Sequence, residues 1–142
     1  MKENIVCSGA LFYATSTKRF LFLQRTDRKT QGMWGLVGGK SKFTESAFEG
    51  LKREIEEETG GLPKFKKVIP LEMFTSNDQK FFFHTYLIAI ESEFIPKLNS
   101  EHSGYCWCAF ECWPKNLHMG LKNTLNNKSI KGKLQTILDL IV

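Results

Sequence analysis

The stretch GGKSKFTESAFEGLKREIEEETGG, residues 38 to 61, decides how the chain is read. It opens and closes on glycine pairs, and its apolar residues recur at helical spacing. Ala47, Phe48, Leu51 and Ile55 make one stripe, the face of a helix that packs on a core. At about 100° per residue, Glu54, Glu57 and Glu58 fall at i, i+3 and i+4 and share the neighbouring face. Like charges so placed weaken a helix. For three acids alone, a solvated acidic face is the plain alternative. A divalent cation relieves the repulsion, however, and hard carboxylate oxygens suit magnesium or manganese. Residue chemistry therefore points to a metal-dependent enzyme acting on phosphates.

The same stretch resembles the Nudix hydrolases, whose box reads G-x5-E-x7-R-E-U-x-E-E-x-G-U, with U a bulky apolar residue. Gly39, Glu45, Arg53, Glu54, Ile55, Glu57, Glu58 and Gly60 match at every spacing; Gly61 alone departs, at the final apolar position. Val37 also stands where many members have proline, a change that softens the loop and removes no ligand. The resemblance implies an α/β/α sandwich, a mixed β-sheet between helices. It implies that Glu57 and Glu58 bind Mg2+ (or Mn2+) directly and that Glu54 binds metal or serves as base. The Gly39 carbonyl is implied as a further ligand. Arg53 is implied to pair with box carboxylates and hold the catalytic loop against the helix, with Glu45 and Gly38 structural beside it. In the wider family an acid outside the box, on a loop facing the helix, binds metal or acts as base. Glu101 fits that place, and Glu91 and Glu93 fit it more loosely.

At 142 residues the chain suits one domain, 1–142, with a substantial core. Hydrophobic residues at 42% and charged residues at 25% are ordinary for a soluble globular protein. The net charge of +5 arises despite the acidic helix and hints at an anionic ligand, although a lysine-rich solvated surface explains it equally. The lysines are scattered, which argues against nucleic acid. No run approaches the ~20 apolar residues of a membrane helix. MKENIVCSG carries no signal-like apolar segment, and four cysteines without one suit reduced thiols, so the expectation is a cytoplasmic protein. Cys106, Cys108 and Cys112 near His102 lack C-x-x-C spacing, which argues against zinc.

Along the chain, residues 4–13 and 19–25 read as a hairpin, and 34–37 as a short strand before the glycine pair. The central helix is expected to start with Thr44 as N-cap and Glu45 in its first turn. Gly60 and Gly61 are its expected C-caps, and Pro63 prevents continuation. Residues 65–75 and 80–91 read as strands joined by a turn at 76–79, and 104–110 as another strand. Leu134, Ile137, Leu138 and Ile141 predict a final amphipathic helix over 131–142. Strands, helix, strands and helix in that order give an α/β fold.

A nucleobase needs an aromatic or apolar platform and a few polar contacts. Arg25, Trp34, Phe83, Phe74 and Tyr86 are candidates, with Arg25 and Lys40 also placed to meet phosphates. The expected partner is a small nucleotide, and the resemblance implies a nucleoside diphosphate linked to another group. A nucleoside or deoxynucleoside triphosphate is favoured. Ser76 stands where the family's ADP-ribose branch has proline, and Asn77 and Asp78 stand where its dinucleoside-polyphosphate branch has tyrosine. Nucleotide sugars or ADP-ribose-type substrates are the alternative. An RNA 5′-end hydrolase or a non-catalytic nucleotide-binding module are the more distant ones. The family's habit of dimerising makes a homodimer a further expectation.

Overall fold

Alternation in the first strand sets the layers. In β1 (Ile5–Ala14), Ala10, Phe12 and Ala14 face one side of the sheet and Leu11 and Tyr13 the other, and all five are buried. A strand buried on both faces belongs at the centre of a sheet. The computed structural model, which describes residues 4–141, places it there. One edge of β1 runs parallel to β6 (Phe81–Ile90), from Ile5 opposite Phe81 to Ala14 opposite Ile90. The other edge is shared. Cys7 to Ala10 pair with β4 (Val37–Lys40), and Tyr13 and Ala14 pair with β2 (Arg19–Arg25). With β3 (Trp34–Gly35) and β7 (His102–Ala109) on β2, and β5 (Lys67–Thr75) on β6, the sheet has seven strands of mixed direction.

Helix α1 (Ala47–Thr59) covers one face, burying Leu51 and Ile55 against Ala10, Phe12, Val37 and Ile88. Helices α2 (Met119–Asn126) and α3 (Lys128–Leu140) cover the other, where Leu121, Leu125 and Leu134 meet Leu11, Phe20, Phe22 and Leu87. The expected α/β architecture, a mixed sheet between helices, is present.

Several local expectations change. The N-cap of α1 is Ser46, not Thr44. Ser46 Oγ accepts from the Glu49 amide at 3.1 Å while the Glu49 carboxylate accepts from the Ser46 amide at 2.9 Å. Only Ser46 has a glutamate three residues on, which closes this reciprocal cap. Glu49 is therefore a capping residue, and Glu45 precedes the helix. Second, Gly38 and Gly39 lie within β4 instead of forming a loop. Third, α2 was not expected, because its apolar positions are too few to show a period in eight residues. Last, α3 begins at Lys128, capped by the Asn127 side chain, and ends at Leu140. The expected helix over 131–142 reached Val142, and the N-terminal reading drew on residues 1–3; these positions lie outside the described residues. At the other end of α1, Gly60 caps alone, with φ of 82°.

The two rival starts are separable by mutation. Ser46→Ala should cost about 1 kcal/mol in urea denaturation and Thr44→Ala close to nothing. Equal losses at the two positions would contradict the assigned cap.

Candidate functional site

Pairing of β4 with β1 carries the Gly38-Gly39 backbone onto the C-terminal half of α1, and two part-buried hydrogen bonds hold the sheet and helix together. Ser8 Oγ, on β1, donates to the Ala47 carbonyl at 3.1 Å, tying the strand to the first turn of the helix. At the other end of the contact the Gly38 amide donates to Glu58 Oε1 at 3.0 Å. A Cβ at Gly39 would lie 2.3 Å from Glu54 Oε2, so only glycine lets the strand pass so close to that carboxylate.

Arg53 binds the remaining parts. Its Nε donates to Glu45 Oε2 at 2.8 Å, and Nη1 donates to Glu54 Oε1 at 2.8 Å and Glu57 Oε1 at 3.2 Å. Nη2 donates to Glu45 Oε1 and to the Lys40 carbonyl, both at 3.0 Å. All five guanidinium N–H donors are used. The hydrogen bonds from Arg53 hold the Glu45 carboxyl down to about 2, with the Lys42 amide assisting. Glu45 in return raises the guanidinium's pKa.

The three helix acids share a face but not an environment. Glu58 is 2% exposed, Glu54 is half-buried and Glu57 stands at the rim. Burial pushes the Glu58 carboxyl up to about 9; the Gly38 amide opposes this, and the neighbouring Glu54 and Glu101 carboxylates add to it. Glu101, on the loop before β7, therefore lies within electrostatic reach of the helix face. Among the described residues no three or more His, Cys, Asp or Glu side chains form a ready metal cage. Arg53 and Gly38 engage the carboxylates instead. The donor chemistry nonetheless fits a hard divalent cation. Glu54 and Glu58 crowd against glycine backbone, and burial without a positive partner raises the Glu58 carboxyl, a cost that a bound cation would relieve.

The remaining candidates are more dispersed. Arg25 Nε is held by Asp27 Oδ1 at 3.0 Å and Thr30 Oγ1 at 2.7 Å, which ties it to the loop after β2. Trp34 is half-buried, with its backbone bonded to Asn116 and His118. Lys40 is exposed at the end of β4. Phe83 packs over Gly9 on the face opposite α1, 6.5 Å from Phe81, which is 6.2 Å from the exposed Phe74. Tyr86 instead joins the core under α1, beside Phe48. Glu91 and Glu93 pair with Lys66 and Arg19, away from the helix acids. Cys106 and Cys108 sit with Sγ atoms 3.6 Å apart in the α2 side of the core, and the Nδ1 of the buried His102 has no hydrogen-bond partner. A cleft of about 530 Å3 lined by Tyr13, Lys18, Phe110 and Leu138 lies at the far end of β1. It offers no comparable set of phosphate-directed groups, so the acidic face is the candidate site.

Sequence reasoning missed two residues here. Ser41 is buried and packs so tightly that a Cβ on Gly50 would lie 2.3 Å from its Oγ. Asn99 bridges α1 and the Glu101 loop. A lone serine and a lone loop asparagine carry no pattern that periodicity could detect.

Comparison with known proteins agrees with this geometry. The family description "NUDIX domain" matches residues 5–127. "Nudix hydrolase 6" of Arabidopsis thaliana is 41% identical over 63 residues, which cover 43% of this chain and 22% of that protein. The match thus spans about a fifth of the plant protein's length. Among solved structures, the MutT protein of Methanosarcina mazei superposes with TM-score 0.71 at 24% identity, covering 94% of this chain and 97% of that one. A C. elegans Ap4A hydrolase superposes with TM-score 0.71 at 18% identity, covering 95% and 99%. At such identities the structures speak for the fold, while the family match spans most of the chain. The chain belongs to the NUDIX domain family.

Proposed function

We propose that residues 1–142 act as one domain, a pyrophosphohydrolase dependent on Mg2+ or Mn2+. Its favoured substrate is a nucleoside or deoxynucleoside triphosphate. The observation that carries this reading is the buried Glu58 carboxyl, set beside Glu54 against the Gly38-Gly39 backbone. Glu54, Glu57, Glu58 and the Gly39 carbonyl would hold the cation. When bound, it supplies positive charge to the phosphoryl oxygens and acidifies a water.

The chain's own groups do the rest. Arg53 takes up part of the Glu54 and Glu57 charge and so keeps the acids in place on the helix. Glu54 is engaged by Arg53 whereas Glu101 is exposed, and this favours Glu101 as the group that accepts a proton from the attacking water. Water adds to phosphorus as the anhydride bond breaks, and the leaving phosphate carries the bond's electrons. The Phe74–Phe81–Phe83 strip offers a base a stacking surface. Lys40 and Arg25 are the cations assigned to the phosphates and Trp34 a second apolar contact. Similarity to structures named for MutT and for an Ap4A hydrolase supports a nucleotide anhydride without choosing among them.

Nucleoside triphosphates, nucleotide sugars, ADP-ribose and dinucleoside polyphosphates, each incubated with Mg2+, test the reading. A triphosphate should be consumed fastest, giving a monophosphate and pyrophosphate. Inertness towards every compound would contradict it. Glu57→Gln should lower turnover by at least about 100-fold while the far-ultraviolet spectrum stays unchanged; an unaltered rate would remove Glu57 from the ligand set.

The structural role of Glu45 has a pH signature. Its carboxyl sits near 2 folded against an ordinary 4.5. The stabilisation is therefore complete above 4.5 and fades as pH falls towards 2. Glu45→Gln should melt below the wild type at pH 7, with the gap closing through that window. A gap independent of pH would contradict the Glu45–Arg53 pairing.

A further inference from the structure

Helix α1 ends in carbonyls that lack helical partners, and the segment entering the Glu101 loop satisfies two of them. The Lys97 amide donates to the Thr59 carbonyl at 2.8 Å, and Asn99 Nδ2 donates to the Glu57 carbonyl at 3.0 Å. The same Asn99 side chain turns its other end towards Glu101. Oδ1 accepts from the Glu101 amide at 3.0 Å, and Nδ2 lies 3.5 Å from Glu101 Oε2. One planar amide thus spans the helix that carries Glu54, Glu57 and Glu58 and the loop that carries the fourth acid. The far side of the loop is fixed by Thr26, the residue after β2, whose amide donates to the Glu101 carbonyl at 3.1 Å and whose Oγ1 donates to the Ser100 carbonyl at 2.7 Å.

We infer that Asn99 is the positioning residue of this site: its side-chain amide sets the distance between Glu101 and the acidic face of α1. The inference rests on the reading of Glu101 as part of the reactive site. Glu101 and the helix acids form no ion pair with one another, so the carboxylates themselves do not draw the loop close. Asn99 makes the link with neutral hydrogen bonds and adds no charge to the cluster. Both ends of the amide are needed, because the Glu57 carbonyl requires a donor and the Glu101 amide an acceptor. Aspartate would lose the donor and place a negative charge at the negative end of the helix dipole. Serine would keep an acceptor for the Glu101 amide but is too short to reach the Glu57 carbonyl as well.

The test is a double-mutant cycle in the full chain, read two ways. One readout is kcat and KM with Mg2+ and the nucleotide turned over fastest in the panel. The other is Mn2+ affinity by calorimetry without nucleotide. Asn99→Ala should lower kcat about 10-fold with KM and Mn2+ affinity nearly unchanged, because Glu101 is read as the proton acceptor and stands outside the ligand set. Asn99→Ser should fall between Asn99→Ala and the wild type. In a Glu101→Gln background, Asn99→Ala should add almost nothing, since its effect is routed through Glu101. If Glu101→Gln slows turnover but the two losses multiply, or Asn99→Ala leaves kcat intact, the positioning role is overturned. If Glu101→Gln leaves kcat unchanged, the reading of Glu101 fails and the inference with it. A wild type that binds no Mn2+ fails the metal reading, and that removes the inference at its base. Asn99→Ser, the milder change, keeps the test open if the alanine variant fails to fold.

Discussion

Much of the site depends on one guanidinium. Arg53 donates all five of its hydrogen bonds to groups from three places: Glu45 before α1, Glu54 and Glu57 on it, and the Lys40 carbonyl at the end of β4. Two of these contacts form a fork on the Glu45 carboxylate, a geometry that lysine cannot supply. That fork fastens Glu45, in the segment between β4 and α1, to the helix. Without the contacts to Glu54 and Glu57, two carboxylates would face each other across one helical turn with no cation between them. The arginine thus serves the fold and the chemistry through the same atoms.

The acidic face is costly to build, and the sheet meets part of that cost. A carboxyl as buried as Glu58 is not stable as a lone anion. Here it receives the Gly38 amide, which is free to point at the helix because β4 pairs with β1 along its other edge. The glycines are needed for approach: side chains at Gly38 or Gly39 would strike the Ser8 carbonyl or Glu54. Burial on both faces of β1 supplies the rigid base for this arrangement, with Phe12 and Ala10 under the helix and Leu11 under α2 and α3.

What could be read from the sequence was whatever repeats or matches a spacing. The apolar stripe of α1 and the i, i+3, i+4 acids obey a helical period, and the apolar, β-prone runs 4–13 and 80–91 read as strands without one; each element stands within one or two residues of its expected bounds. The cap of α1 was also legible, as Ser46 followed three residues on by Glu49, but Thr44 is an equally good cap by composition and drew the assignment. The glycine pair was harder. Glycine suggests a turn, and only the pairing of Gly38 and Gly39 with Gly9 and Ser8 shows that they belong to a strand. Helix α2 is too short to declare a period. Least legible were the contacts between distant positions, such as Asn99 with Glu57 and Ser41 with Gly50, because nothing local in the sequence records them.

The central proposal is that Glu54, Glu57, Glu58 and the Gly39 carbonyl would hold a divalent cation beside Arg53. Crystals soaked in Mn2+ and measured at its absorption edge test this most directly. The expected result is an anomalous peak between these carboxylates and the Gly39 carbonyl, with the Arg53–Glu45 pair intact. A peak elsewhere, or none at Mn2+ concentrations that saturate turnover, would contradict it.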